Sequence, residues 1–185
     1  PQYASRPFAE VFEQVLHLFP TSPCRVLDIG AGSGRDAAAL ARRGHTVVAV
    51  EPVAEMRAEG DKIGNSGFVL LDDLLPALPL LAGELAGPYG FILSAGVWMH
   101  FDEREREDSM GRVAQLLAPG GRFMLTLRHG PIPEGRRMFD VQPEQIAALG
   151  EKYGLRLVAN ILREDLHGRE DIKWSIVCLE KAADV

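Results

Sequence analysis

The sequence predicts an α/β domain built on one mostly parallel sheet that ends, along the chain, in an antiparallel strand. Two observations carry this. Short apolar runs alternate with helix-patterned segments through all 185 residues, the pattern of parallel strands joined by right-handed crossovers. The last two apolar runs are separated only by "DLHGREDI", which is too short for a parallel crossover, so they pair as a hairpin.

Each element has its own signal. "RPFAEVFEQVLHLF" sets Phe8, Val11, Phe12, Val15, Leu16 and Phe19 on one helical face, and the segment from Pro20 to Pro23 stops it. "RVLDIG" reads as a short buried strand, followed by the alanine-rich helix "GRDAAALARRG", which Gly44 terminates. "TVVAVE" is the second strand, and "PVAEMRAEG" a helix with proline in its first turn. "GFVLLDD" is the third strand, "LPLLAGELAG" a short helix and "YGFILSAG" the fourth strand. In "DEREREDSMGRVAQLLAPGG" a charged, exposed first turn gives way to an apolar stripe of Val113, Leu116 and Leu117. There "PGG" at 119–121 is the helix stop and strand start. "RFMLTLRHG" is the fifth strand, "PEQIAALGEKYG" a helix, and "LRLVANILRE" with "KWSIVCLEK" the closing hairpin.

Composition narrows the class. Apolar residues make up 46% and charged residues 25%, which suits a soluble globular domain. The formal net charge of -6 gives the whole molecule no electrostatic footprint for nucleic acid or an anionic membrane. No run approaches the roughly 18 apolar residues of a membrane helix, and no charged-then-apolar leader opens the sequence. Cys24 and Cys178 each lie inside an apolar run and read as reduced, buried thiols of a cytoplasmic protein. The expected organisation is a single domain, 1–185. It comprises an N-terminal helix and lid segment (1–22), a cofactor-binding core (24–130) and a C-terminal helix and hairpin (131–185).

The chemistry concentrates in "CRVLDIGAGSGRDAAALARRGHTVVAVEP", residues 24–52. Gly30, Gly32 and Gly34 stand where the first strand hands over to a helix. There the backbone bends sharply, approaches a ligand, and presents the unpaired N–H groups of a helix start. A dinucleotide fingerprint requires glycine at 35, where Arg35 stands. Asp28, two residues before the first glycine, would repel a pyrophosphate and welcome a cation. Glu51 ends the second strand, where a carboxylate can accept from both hydroxyls of a ribose. The pattern asks for a nucleoside whose neighbour is cationic.

"LDIGAGSG", "VVAVEP", "LLDD", "FILSAGVWMHF" and "LLAPGGRFMLTLRHG" resemble, in order, the successive motifs of class I S-adenosylmethionine-dependent methyltransferases. The resemblance covers residues 24–130 and, by pattern, the last two strands. It implies a Rossmann-like, doubly wound sheet of seven strands, mostly parallel with the last strand antiparallel and helices on both faces. It implies S-adenosylmethionine as cofactor, with Asp28 and the backbone of Gly30, Ala31, Gly32, Ser33 and Gly34 facing its methionine part. Glu51 would clamp the ribose, and Pro52, Val53 and Met56 would pack beside ribose and adenine. Asp72 would accept from the adenine amino group with the Asp73 N–H near the ring, the doublet leaving the two interchangeable and helix capping a competing role. Ser94 and Ala95 would line the cofactor near its sulfur, with Met99 and His100 on the wall facing the acceptor.

The remaining candidates rest on position. His100 and His129 are candidate general bases, and Arg128, at the end of the fifth strand, a candidate to orient the acceptor. His100 has capping or packing beside Phe101 as its alternative. Arg136 and Arg137 read as acceptor ligands or a solvated loop, Tyr3 and Arg6 as a lid, and Trp98 as core rather than a stacking platform. No metal site is expected, because metal ligands do not cluster. An Asn/Asp-Pro-Pro-aromatic run is absent after the fourth strand, and neither cysteine is placed as a nucleophile. The expectation is methyl transfer to oxygen or nitrogen of a small-molecule acceptor, with nucleic acid and membranes marked down as partners. The alternatives are a non-catalytic sensor or partner protein that binds the same cofactor, and a nicotinamide-dependent oxidoreductase.

Overall fold

The computed structural model of the chain describes residues 6–62, 64 and 66–183. Seven strands form one sheet in the order β3-β2-β1-β4-β5-β7-β6. They are β1 (Arg25–Ile29), β2 (Thr46–Val50), β3 (Val69–Leu71), β4 (Tyr89–Ala95), β5 (Leu117–His129), β6 (Leu155–Glu164) and β7 (Lys173–Lys181). β1 pairs in parallel with β2 and β4, β2 with β3, and β4 with β5. β7 runs antiparallel to both its neighbours, β5 and β6. The hairpin therefore folds back, leaving β7 inside the sheet and β6 at its edge. Successive strands build outward from β1 in one direction and then, from β4, in the other. In such sheets the gap at the carboxyl ends of β1 and β4 is where ligands bind.

Strand alternation sends residues to two separate cores. Leu27 and Ile29 of β1 join Trp98, Met110, Val113 and Phe123 under α4 (Glu103–Leu116) and α5 (Pro143–Lys152). Val26, Phe91 and Met124 pack on the opposite face against the N-terminal segment and α2 (Arg35–Arg42). Helices thus cover both faces, with α3 (Ala54–Lys62) connecting β2 to β3.

Three elements differ from the sequence expectation. The first helix is α-helical only over α1 (Phe8–Val11) and continues as a 3-10 helix, Glu13–Leu18. In 3-10 winding, positions three apart stack on one side, which buries Phe12, Val15 and Leu18 and leaves Leu16 half-buried. Four phenylalanines lock this segment to the sheet. Phe19 lies 4.8 Å from Phe91 by ring centroids, and Phe8 lies 5.0 Å from both Phe12 and Phe19. The helix expected at "LPLLAGELAG" is instead a chain of turns with one 3-10 turn, Gly83–Leu85. Pro79 removes a helical donor, Gly83 turns the backbone at φ 57°, and Leu75, Leu78 and Leu81 wedge into the core. β5 begins at Leu117, ahead of "RFMLTLRHG", because its register against β4 jumps from Tyr89–Leu117 to Phe91–Arg122 and residues 118–121 bulge out.

α4 starts on a capping box: Asp102 Oδ1 accepts from Glu105 N at 2.9 Å, and Glu105 Oε2 accepts from Asp102 N at 2.8 Å. Among the described residues no helix is long and apolar enough to cross a membrane.

Candidate functional site

A cavity of about 860 Å³ opens at the carboxyl ends of the parallel strands, on the side covered by the N-terminal segment and the β6–β7 connection. The glycine turn forms one wall. Gly30 N and Ala31 N both donate to Val50 O, at 2.8 and 3.0 Å, which hooks the turn to the end of β2. Gly30 has φ 72°, and a Cβ there would stand 2.3 Å from Val97 Cγ2. Gly32, at φ 59°, turns its N–H to Glu51 Oε2, 2.9 Å away. Both conformations favour glycine strongly. Gly34 caps α2 in the left-handed conformation without a side-chain bond.

Glu51 is buried, and its other oxygen, Oε1, accepts from Val53 N at 2.9 Å. A carboxylate offers about four lone-pair directions, so two acceptor positions remain for a diol. Pro52, Val53 and Met56 line the cavity beside it.

Asp28 is 2% exposed. The backbone N–H of Ala37, in the first turn of α2, bonds its carboxyl, yet Oδ2 is buried with no partner among the described residues. Burial, reinforced by the nearby Asp36 carboxylate, holds its pKa well above the ordinary value, while Arg35 and the Ala37 N–H pull the other way. Arg35 is itself engaged with Asp36 through two contacts of 2.7 Å. A buried carboxyl with an orphaned oxygen beside a backbone cradle is a receptor for a cationic donor, the opposite of a diphosphate site. The group implied by the sequence, a sulfonium nucleoside with an ammonium, fits this donor and acceptor set.

The other expected positions divide. Ala95, Met99 and His100 line the cavity. Ser94 does not: it is fully buried, its Oγ without a partner among the described residues. Asp73 lines the cavity, but its oxygens accept from Leu74 N and Leu80 N, each at 2.9 Å, and so brace the turns after β3. Asp72 lies outside the lining, its side chain 66% exposed and ion-paired with Arg57 at 2.9 Å. Neither aspartate caps a helix.

Arg128 lines the cavity and His129 does not. Neighbours on a strand point to opposite faces, so His129 turns to α5's side. There its Nε2 lies 2.8 Å from Ser175 Oγ and its Nδ1 3.5 Å from Asp140. His100 Nδ1 lies 2.9 Å from Arg137 O. Since a carbonyl only accepts, Nδ1 carries the proton, and Nε2 of the neutral ring is left able to take one. Arg137 anchors its loop by pairing with Asp102 and Glu105, at 3.1 and 2.8 Å. Phe139 N donates to Met99 O at 2.7 Å, docking that loop on the turn that carries His100. Trp98 is fully buried, 5.4 Å from Phe123 by ring centroids, as core. Burial raises both cysteine pKa values, Cys178 to about 11, as for inert thiols.

Several wall residues escaped the sequence reading: Thr126, Arg163, Asp165 and Trp174. Thr126 Oγ1 accepts from Gly96 N at 2.8 Å and fixes the loop after β4. The signal for Thr126 was available, because it shares strand parity with Arg128. Of the two residues expected to form a lid, Arg6 lines the cavity and donates to Leu166 O at 2.7 Å. Tyr3 lies outside the described residues.

The sequence profile of a family described as a methyltransferase domain matches residues 3–160. An uncharacterized methyltransferase of Geobacillus kaustophilus is 30% identical over 102 residues, which are 54% of this chain and 44% of that protein. The chain therefore spans less than half the length of that relative. The ubiquinone biosynthesis O-methyltransferase of Xylella fastidiosa strain 9a5c is 27% identical over 174 residues, 84% of this chain and 68% of that protein. Among solved structures, the Burkholderia thailandensis 1,6-didemethyltoxoflavin-N1-methyltransferase superposes with TM-score 0.72 at 23% identity. It covers 97% of this chain and 78% of its own. The magnesium protoporphyrin IX methyltransferase of Synechocystis superposes with TM-score 0.71 at 16% identity, over 98% and 79%. At those identities the two superpositions speak for the fold alone.

Proposed function

Because the chain belongs to the class I S-adenosylmethionine-dependent methyltransferase family, we propose that it transfers the methyl group of that cofactor to oxygen or nitrogen of a small-molecule acceptor. The observation that carries the reading is the orphaned, buried Asp28 oxygen beside the glycine turn, with Glu51 one strand away. When bound, S-adenosylmethionine supplies an activated methyl group on a sulfonium, and the protein's task is alignment and dryness. Asp28 accepts from the ammonium, Glu51 from the ribose hydroxyls, and Pro52 and Met56 pack the nucleoside. Arg128 orients the acceptor. His100, exposed at the mouth with Nε2 available, takes the acceptor's proton. The loop held by Arg137 and the Arg6–Leu166 contact cover the two sides of the cavity against water. The two free thiols support a cytoplasmic site of action.

Calorimetry tests the cofactor half of the reading. S-adenosylhomocysteine should bind and NADH should not, and the reverse result overturns it. For the base, His100→Gln should lower the rate of labelled methyl incorporation at neutral pH by about 100-fold and change its pH profile. An unchanged rate and profile would show that His100 takes no proton.

A further inference from the structure

Resting on the methyltransferase reading, a second feature of the same cavity specifies its acceptor. In the register of the sheet Arg128 on β5 faces Trp174 on β7, and Trp174 faces Arg163 on β6. Residues directly opposite across strands share a face, so the three make one row, arginine–tryptophan–arginine, and all line the cavity. The Arg163 Cζ stands 6.0 Å from the centre of the Trp174 ring.

The ring is held in place. Its Nε1 donates to Asp165 Oδ1 at 2.8 Å. Asp165, whose side chain is 1% exposed, is also gripped by Arg169 at 2.7 and 2.9 Å and by the backbone N–H groups of His167 and Arg169. Its charge is thereby engaged by Arg169. No carboxylate lies within ion-pairing distance of Arg128 or Arg163 among the described residues, and Arg163 Nε is buried without a hydrogen-bond partner. Each arginine makes one long contact to a backbone carbonyl, Arg128 to Gly130 O at 3.4 Å and Arg163 to Glu164 O at 3.5 Å.

Two guanidinium groups without an ion-pair partner among the described residues, flanking a fixed indole face, call for a flat, apolar body with an anion at its edge. Stacking supplies the area, and arginine's planar fork matches the two oxygens of a carboxylate. Met99, Phe101 and Leu166 complete an apolar wall on which such a ring can rest. We propose that the methyl acceptor is an aromatic carboxylate, its ring against Trp174 and its carboxylate on Arg163 and Arg128.

The test is calorimetry on the protein saturated with S-adenosylhomocysteine. The probes are 2-, 3- and 4-hydroxybenzoate and 1- and 2-naphthoate, their carboxamides, and cyclohexanecarboxylate. At least one aromatic acid should bind about 10-fold or more tightly than its amide. Arg163→Met and Arg128→Met should each remove about 10-fold from the acid and leave the amide unchanged. Trp174→Leu should weaken the aromatic acid and not cyclohexanecarboxylate. Equal binding of acid and amide, or no binding of any acid, overturns the proposal while the methyltransferase reading stands. Loss of S-adenosylhomocysteine binding in Arg163→Met, with Arg128→Met intact, moves Arg163 to the cofactor and also overturns it. Failure of the unaltered protein to bind S-adenosylhomocysteine removes both readings.

Discussion

Asp28 and Glu51 are both buried carboxylic acids at strand ends, and they differ in what satisfies them. Glu51 accepts two backbone N–H bonds at 2.9 Å, which stabilise the turn before any ligand arrives. Asp28 keeps one oxygen unsatisfied, and burial raises its pKa. A raised pKa means that the folded protein binds this proton more tightly than the unfolded chain. Asp28 therefore contributes stability below the ordinary carboxylate pKa, and that contribution is lost as pH rises through the folded value. Once ionised, it is a liability that a cationic ligand relieves. Asp28→Asn should raise the melting temperature more at pH 9 than at pH 4. It should weaken S-adenosylmethionine binding about 10- to 100-fold. Thermal unfolding at the two pH values and calorimetry check both halves, and an unstable variant with full affinity would refute the account. The same scale separates the two histidines. One residue beyond Arg128, the chain has crossed to the other face of the sheet, so His129 lies outside the main cavity and meets Ser175 of β7 and Asp140 of the loop to α5.

Among the elements, the β6–β7 connection depends most on one side chain. Asp165 ties Arg169, His167 and Trp174 together, and those bonds push its pKa far below the ordinary value. A lowered value gives stability that is present above the unfolded pKa and lost as pH falls toward the folded one. Asp165→Asn exchanges a charged hub for a neutral one and should cost about 1–3 kcal/mol. It should also raise hydrogen exchange across residues 165–172 while leaving exchange in β1 unchanged. Uniform loss of protection through the sheet would show that the hub is not local. The first helix teaches a related lesson. An apolar pattern read at helical spacing contains a second pattern at spacing three, Phe12, Val15 and Leu18. Packing against the sheet selected it, because propensity is a weak prior once a buried surface is on offer.

On the scale of the whole molecule, the sheet order β3-β2-β1-β4-β5-β7-β6 decides which residues meet. It sets the glycine turn at the change of winding direction and puts Glu51 on the neighbouring strand. It brings Trp174, close to the end of the chain, beside Arg128. Asp28 and Glu51 were legible as cavity-lining carboxylates because strand-end position and the glycine spacing are local properties. Asp72 and Asp73 were not resolvable by the same reasoning. Which of two adjacent acids faces a cavity depends on how the turns after β3 fold, and there the buried Leu75, Leu78 and Leu81 dominate. Ser94 is similar: its strand was evident, while its face follows from the packing of both layers.

Local signals in the chain, namely periodicity, proline and glycine placement and a hairpin-length connection, were enough to determine the α/β class, the strand sequence and the glycine turn after β1, since each acts over a few residues. Only the folded sheet determined the arginine–tryptophan–arginine row and the divided roles of the acid doublet. Those depend on register and facing between segments distant in sequence, which are settled by how two cores are filled at once.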